Sequence, residues 1–447
     1  LKKKAYVVGG GPLGLSAAFE LARRGLEVHL IDRGKNLGGL TEPFDFDGVM
    51  AEKYYHFFYW NDSAWAESFL EKVGTPGDVE WKDIRSKTFF RGRFVDFDSP
   101  LKVLSLAGRS FLKTLWTLLK LKFRAPPLSL DKQSALRWAE RQFGAAFSDT
   151  IWRPLLTSKF GSHASNISAL WLASRLRRHM STQVGRGNRC RFGYLKGTYA
   201  PAIHAVGRIV TEGGGRLRLG SGLRSISFSE DLVSGLSLDS GEYIPIAGED
   251  LVFSALPFHD LKELPGIVER LPYLADFDGV GAIVYMIKLS EHLSDAYWTT
   301  VTDPEIDFNV VIQQNLLFEN APEKVVYMSR YLEKGDPRLS SWDDREIRSR
   351  FVKGLQRIYP GFQESMILAD RVFKPRSAAP VPRIDTFANL PSYETRYRNF
   401  FHGAYEQIFP EDRGVGNSIH LGAGMVEAAL GEPQAKMEAG RCPGPPF

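Results

Sequence analysis

The sequence predicts an α/β protein, with a parallel sheet that starts at the N-terminus and a second, mixed α+β domain. Three observations carry this. A short apolar run at residues 5–8 enters the glycine turn GGGPLG, which is followed by small and apolar residues at helical spacing. A second apolar run, LEVHLI, ends in an acid, Asp32. The chain has 447 residues, more than one core usually sustains, so two domains are expected.

Residues 5–32 therefore read as strand, tight turn, helix, strand. Gly9 permits the turn, Gly11 lets the backbone approach a pyrophosphate, and Gly14 allows the helix to pack closely on the strand. Pro12 and Leu13 open the helix, whose N-terminus offers unpaired N–H groups and positive potential to an anion. Gly25 ends it. Asp32 stands 21 positions after Gly11, where an acid can accept hydrogen bonds from a ribose hydroxyl. This is a Rossmann-like unit for an adenine dinucleotide, and NAD and FAD offer it the same ADP half.

The run of residues 6–40, with a second glycine pair at Gly38 and Gly39, resembles the extended FAD fingerprint of the amine oxidase superfamily, which includes protoporphyrinogen oxidases and phytoene desaturases. The resemblance implies FAD as cofactor. The pair would lie along the diphosphate and ribityl chain, with Arg33 near the adenosine. Leu40 stands where many members carry arginine, which points to a branch distant from typical amine oxidases.

The resemblance also implies returns of the chain to the FAD-binding domain. GYLKG at residues 193–197, a helical stretch and GGGRLRLGSGLRSI match the pattern of a glycine turn leading to two strands, with Leu223 at the adenine. DLVFSALP reads as a buried strand with Ala255 near the cofactor, since a parallel strand buried on both faces lacks alternation. SIHLGAG resembles the strand and glycine turn that close the site, making Gly422 and Gly424 candidates, with Met437 opening a last helix. The acid expected after that glycine is missing. The expected FAD-binding domain is then residues 1–85, 193–261 and 401–447, and the discontinuous α+β substrate domain residues 86–192 and 262–400.

EKYYHFFYW at residues 52–60 packs six aromatics and a histidine into nine positions after the glycine pair, so Tyr55 and His56 are expected in a substrate pocket. Many amine oxidases place a lysine near the flavin, and Lys159, Lys196 and Lys374 are the candidate counterparts. The segment FKPRSAAPVPR resembles the substrate-side strand of protoporphyrinogen oxidases. No further catalytic residue is assigned, because a flavin carries the redox chemistry and the protein supplies binding, orientation and electrostatics.

Other features limit the function classes. A net charge of +5 is small for this length and does not argue for nucleic acid. No His, Cys, Asp or Glu grouping has metal-ligand spacing, and Cys190 and Cys442 suggest neither a disulfide framework nor zinc. The longest apolar runs, such as residues 280–287, are strand-length, and the chain enters its first strand after three lysines, so a cytoplasmic protein without a cleavable leader is expected.

Basic character is local. Residues 85–124 hold ten Lys or Arg against Asp96 and Asp98. On a helix over residues 101–124, Lys102, Arg109, Lys113, Lys120 and Arg124 fall within about 60° of one another. Such a basic amphipathic helix suits a domain helix with a solvated face, or peripheral contact with an anionic membrane. The function expected from the resemblance is hydride abstraction from a C–N or C–C bond of a bulky hydrophobic or polycyclic substrate, with dioxygen or a quinone as acceptor. Alternatives are a redox-neutral sugar-nucleotide mutase resembling the UDP-galactopyranose mutases, and a nonenzymatic carrier resembling the GDP-dissociation inhibitors.

Overall fold

Short apolar runs scattered over 400 residues of the chain meet in one parallel sheet. The computed structural model describes residues 2–59, 63–95, 110–181, 183–184, 189–317 and 324–432. The five strands lie in the order Arg216–Leu219, Glu27–Asp32, Lys4–Val8, Leu251–Ser254, Phe400–His402. Ala5 pairs with both Val28 and Leu251, so the first strand is central. Both faces are covered, which is why Val7, Leu30 and Phe253 are wholly buried without polar alternation. Each such side chain contributes roughly 1.5–3 kcal/mol of burial.

Helix Pro12–Arg23 covers one face of the sheet and packs against helix Val415–Ala429, the last among the described residues, and helix Ala200–Glu212. The residues read as a closing strand and glycine turn, SIHLGAG, are instead inside Val415–Ala429. The closing strand is Phe400–His402, paired in parallel with Leu251–Ser254. The apolar FFH supplies a fully buried strand, whereas Gly422 and Gly424 are small so that neighbours can approach their helix. A Cβ on Gly422 would collide with the Leu13 carbonyl, and one on Gly424 would lie 3.2 Å from the Tyr393 hydroxyl.

An eight-stranded mixed sheet forms the second body, built from strands within residues 86–95, 279–333 and 367–380. Its longest strand, Gly279–Leu289, contains the apolar run noted above and pairs antiparallel with Lys324–Glu333 and Ile367–Phe373. The expected domain boundaries at 192/193 and 400/401 fall inside the strands Arg189–Leu195 and Phe400–His402. Helices Ala135–Phe143, Arg153–Phe160 and Ala169–Ser181 share a separate apolar cluster around Trp138, Phe143, Phe160 and Leu172.

The basic stretch forms helix Phe111–Phe123, and Lys102 and Arg109 lie outside the described residues. Its inward side is mixed: Leu121 is buried in the helical cluster with Leu118 beside it, Thr114 is fully buried and donates to the Gln142 carbonyl at 3.3 Å, and Thr117 donates to Gln142 Oε1 at 3.1 Å. Its outward side carries Leu112 at 76% and Phe123 at 75% exposure, with Trp116 and Leu119 also exposed. So many large apolar side chains on the solvent side are unusual for a domain helix. Among the described residues, no helix is long and apolar enough to cross a membrane.

Candidate active site

The ends of the parallel strands open into one cavity of about 880 Å³, a size typical of ligand sites. Gly9, Gly11, Pro12 and Leu13 enter its wall from the first turn, Asp32 and Arg33 from the second strand, Gly39 and Leu40 from the second glycine pair, and Leu223 and Ala255 from later strands. Gly38 lies buried behind the wall, and its N–H donates to the Gly10 carbonyl at 2.8 Å, docking the pair onto the turn. Gly39 has a φ of +56°, which favours glycine. A Cβ on Gly11 would meet only the Gly39 Cα, at 4.0 Å, so Gly11 leaves its cavity side bare. Gly14 has a different task, since a Cβ there would run into the Gly9 carbonyl.

Asp32 and Glu406 are among the acids that line this cavity. Asp32 accepts from the Gly10 and Gly34 N–H groups, each at 2.6 Å, and each oxygen keeps a lone pair for a further donor. Burial raises the Asp32 pKa above its ordinary value despite those two N–H groups. Glu406 lies 2.6 Å through Oε1 from His259 Nδ1, while its Oε2 is buried without a hydrogen-bond partner among the described residues. A bare glycine turn and an orphaned carboxylate oxygen in the wall of the same cavity fit a ligand with a diphosphate and hydroxyl groups, as FAD has.

Tyr55, His56 and Lys159 all line the same cavity, as do residues 375–382 of the proline-rich segment. His56 Nδ1 lies 3.1 Å from Glu52 Oε2. The other candidate lysines are elsewhere: Lys196 is exposed and donates to Asp78 at 2.8 Å, and Lys374 donates to the Trp342 carbonyl. Gly422 and Gly424 are outside the cavity wall because they belong to helix packing, and Met437 lies outside the described residues. Among the described residues no group of three or more His, Cys, Asp or Glu could hold a metal ion.

A family model described as flavin containing amine oxidoreductase matches residues 14–400. The chain belongs to that family. Its cofactor is FAD and its class is that of the FAD-dependent oxidoreductases. The fold is similar to the crystal structure of a candidate protoporphyrinogen oxidase from Exiguobacterium sp. 255-15, with TM-score 0.71 and 16% identity over 97% of this chain and 100% of that one. A reduced UDP-galactopyranose mutase gives TM-score 0.72 and 17% identity over 96% and 94%. A putrescine oxidase bound to putrescine gives 0.68 and 15% over 97% and 100%. At these identities the likeness is one of fold.

Short matches to curated proteins are a geranylgeranyl diphosphate reductase of Rhodobacter capsulatus, 49% identical over 53 residues, and a carotenoid phi-ring synthase of Chlorobaculum tepidum, 45% identical over 47. Each match covers 10% of this chain, which spans 14% and 7% of those two proteins.

Beyond the glycine cradle, the cavity of this flavin-dependent family member is aromatic and cationic. Tyr54, Tyr55, Phe57, Trp298, Tyr331 and Phe409 form its walls. Lys159 reaches in from helix Arg153–Phe160, with its ammonium 4.8 Å from the Trp171 ring centroid and 5.7 Å from that of Tyr331. Its ion pair is with Asp412 Oδ1 at 3.8 Å, too long for a hydrogen bond. Burial, aided by Arg175 and Arg413 and opposed by Asp412, pushes the Lys159 pKa down to about 8.

Asp412 also pairs with Arg175, with Arg178 at 2.7 Å, and with the Trp171 indole N–H at 2.9 Å. Burial pushes its carboxyl up, but the three cations outweigh that and hold it far below the ordinary value. Burial likewise raises Tyr331, and Arg413, Lys159 and Tyr55 together hold its phenol below the usual range.

Glu406, Asp412, Arg413 and Tyr331 were not legible as site residues. Placing the closing glycine turn at residues 422–424 passed over residues 403–414, which hold three of them. The available signal was the run FFHG followed by an acid and then EDRG, charged residues ahead of a helix in otherwise apolar sequence.

Proposed function

We propose that the protein removes two electrons as hydride from a C–N or C–C bond of a bulky hydrophobic or polycyclic substrate. The observation that carries this reading is the continuity of one cavity from the bare glycine turn to the aromatic walls around Tyr55 and Trp298. FAD held in that cavity would supply the hydride acceptor, with dioxygen or a quinone as the final electron acceptor. The two short matches, to proteins named for geranylgeranyl diphosphate and a carotenoid, support a lipophilic substrate.

In this reading the N-terminus of helix Pro12–Arg23 and the backbone at Gly11 and Gly39 hold the diphosphate, and Asp32 and Glu406 accept from ribose and ribityl hydroxyls. Arg33 and Leu223 flank the adenosine, with Ala255, Pro12, Leu13 and Leu40 completing the wall. Tyr55, Phe57, Trp298 and Phe409 exclude water and orient the bond to be oxidised. The test is the visible spectrum of the purified chain, identification of FAD released on denaturation, and anaerobic bleaching by lipophilic amines, porphyrinogens and polyenes. A colourless protein that FAD cannot reconstitute, or a flavoprotein that no such compound bleaches, overturns the proposal.

A redox-neutral sugar-nucleotide mutase is the second reading, favoured by the cations at the inner end of the cavity, which suit a diphosphate. A nucleotide sugar would then change the spectrum of the reduced flavin without net oxidation. The complete glycine cradle gives a flavin-free carrier no support.

The finer localisation is peripheral attachment to an anionic bilayer through helix Phe111–Phe123. Exposed Leu112, Trp116, Leu119 and Phe123 provide the apolar side. Lys113, Lys120, Lys122 and Arg124 supply positive charge, and no acid occurs between residues 99 and 130.

A further inference from the structure

The inner end of the cavity holds more positive charge than its own acids neutralise. Lys159, Arg175, Arg178 and Arg413 converge there from three segments, against Asp412 and Glu411. Asp412 is shared by Lys159, Arg175 and Arg178. Arg178 also pairs with Glu411 at 3.4 Å. Arg413 makes no ion pair with a carboxylate among the described residues, and its neighbours are the phenols of Tyr331, Tyr405 and Tyr55.

Lys159 and Arg413 therefore both face Tyr331 in the cavity wall with donors unspent. Lys159 makes no hydrogen bond among the described residues, and its ammonium sits over aromatic rings beside an ion pair of 3.8 Å. Both cations are half-buried, Lys159 with 19% of its side chain exposed, so part of their hydration is lost and an anion with hydrogen-bond acceptors would compensate for it. A purely structural ion network would give each cation its own acid, as Lys334 has Asp260 and Glu263 at 2.6 and 2.8 Å.

We infer that the inner end of the cavity is an oxyanion subsite, in which Lys159 and Arg413 together bind a carboxylate or phosphate carried by a hydrophobic substrate. The inference rests on the reading of this cavity as the substrate site. It gives the substrate a direction: the anion lies between Lys159 and Arg413, and the apolar body extends along Tyr55, Trp298 and Phe409 toward the glycine cradle. Arginine offers paired N–H groups to both oxygens of such an anion, and lysine adds a point charge.

The FAD-loaded protein is titrated with sodium octanoate, octyl phosphate and 1-octanol, at constant ionic strength, by calorimetry and by the visible spectrum of the flavin. At least one anion should bind about tenfold or more tightly than octanol, and Lys159→Gln and Arg413→Gln should each remove about tenfold of that preference while leaving octanol unchanged. The anion that binds more tightly identifies the oxyanion as carboxylate or phosphate. Lys196→Gln, at a solvent-exposed site outside the cavity, leaves all affinities unchanged. Equal affinity for octanol and both anions, or anion binding indifferent to Lys159 and Arg413, overturns the inference.

If Arg413→Gln fails to fold, Arg413→Lys keeps the charge and should retain octanoate affinity within about threefold of the parent while lowering the octyl phosphate affinity by more than that. Calorimetry reads anion binding even in a protein that takes up no FAD. Failure of the flavin reading and failure of the subsite are thus separate results.

Discussion

Gly39 rests directly on Gly11: a Cβ on Gly39 would stand 3.0 Å from the Gly11 Cα, whereas a Cβ on Gly11 would point into the cavity with nothing nearer than 4.0 Å. The two glycines are far apart in sequence, and the hydrogen bond from Gly38 to the Gly10 carbonyl brings their loops together. Gly11 is bare for a ligand, and Gly14 is bare for the fold. Gly11→Ala should therefore leave the melting temperature of the apoprotein nearly unchanged while lowering FAD affinity about tenfold or more. Gly14→Ala should cost about 2 kcal/mol or more of stability. Thermal melts of both apoproteins, with FAD reconstitution followed by fluorescence, check the contrast.

Gly422→Ala tests the corrected role of the closing glycines. The added methyl meets the Leu13 carbonyl and Ser16, so helix Val415–Ala429 must shift from helix Pro12–Arg23 at a cost of about 1–3 kcal/mol. Urea unfolding should show this loss, while the folded fraction binds FAD with little change because Gly422 does not face the cavity.

The difference between these predictions shows what was readable in the chain. Residues 5–40 announced their structure because local rules coincide there: a strand, a turn needing glycine, a helix start and an acid at fixed spacing. Leu223, Ala255, Tyr55 and Lys159 also line the cavity. The C-terminal return was misread because glycines between apolar residues look alike whether they serve a turn or let a helix approach its neighbour. Tyr331 gave no local signal, and EDRG marked Arg413 only as a charged stretch ahead of a helix, since strand Lys324–Glu333 and the turn before Val415 meet only in three dimensions.

Helix Phe111–Phe123 should carry membrane binding. The parent protein is expected to sediment with vesicles of phosphatidylcholine and phosphatidylserine, and binding should weaken as salt rises because part of it is electrostatic. Trp116→Glu with Phe123→Glu should lower the bound fraction about tenfold or more without changing FAD content, since neither side chain faces the cavity. Equal sedimentation of parent and variant, or none by the parent, would remove the membrane assignment.

Octanoate affinity should depend on pH through Lys159. Its pKa lies at about 8, and the groups facing it are Asp412, Arg175, Tyr331 and Arg413. The ammonium is present below that pH and lost as pH rises through it. Affinity should be nearly flat below about pH 7 and fall by up to about tenfold per pH unit above about pH 8. Ionisation of Tyr331 would weaken anion binding in the same direction, so Lys159→Gln is the control, and its profile should lose the part due to the ammonium. Calorimetric titrations across the range measure both.

Asp412→Asn removes the carboxylate shared by Lys159, Arg175 and Arg178. The cluster is half-buried and Arg178 keeps Glu411, so the variant should be destabilised by about 1–3 kcal/mol. Asp412 also raises the Lys159 pKa, so the surviving ammonium should lose its proton below about pH 8, moving the fall in octanoate affinity to lower pH. The same variant connects stability to the proposed subsite. An oxyanion between Lys159 and Arg413 partly replaces the missing charge, so octanoate should raise the melting temperature of Asp412→Asn by more than that of the parent at equal saturation. Equal increments in the two proteins would mean that the anion binds away from the Asp412 cluster.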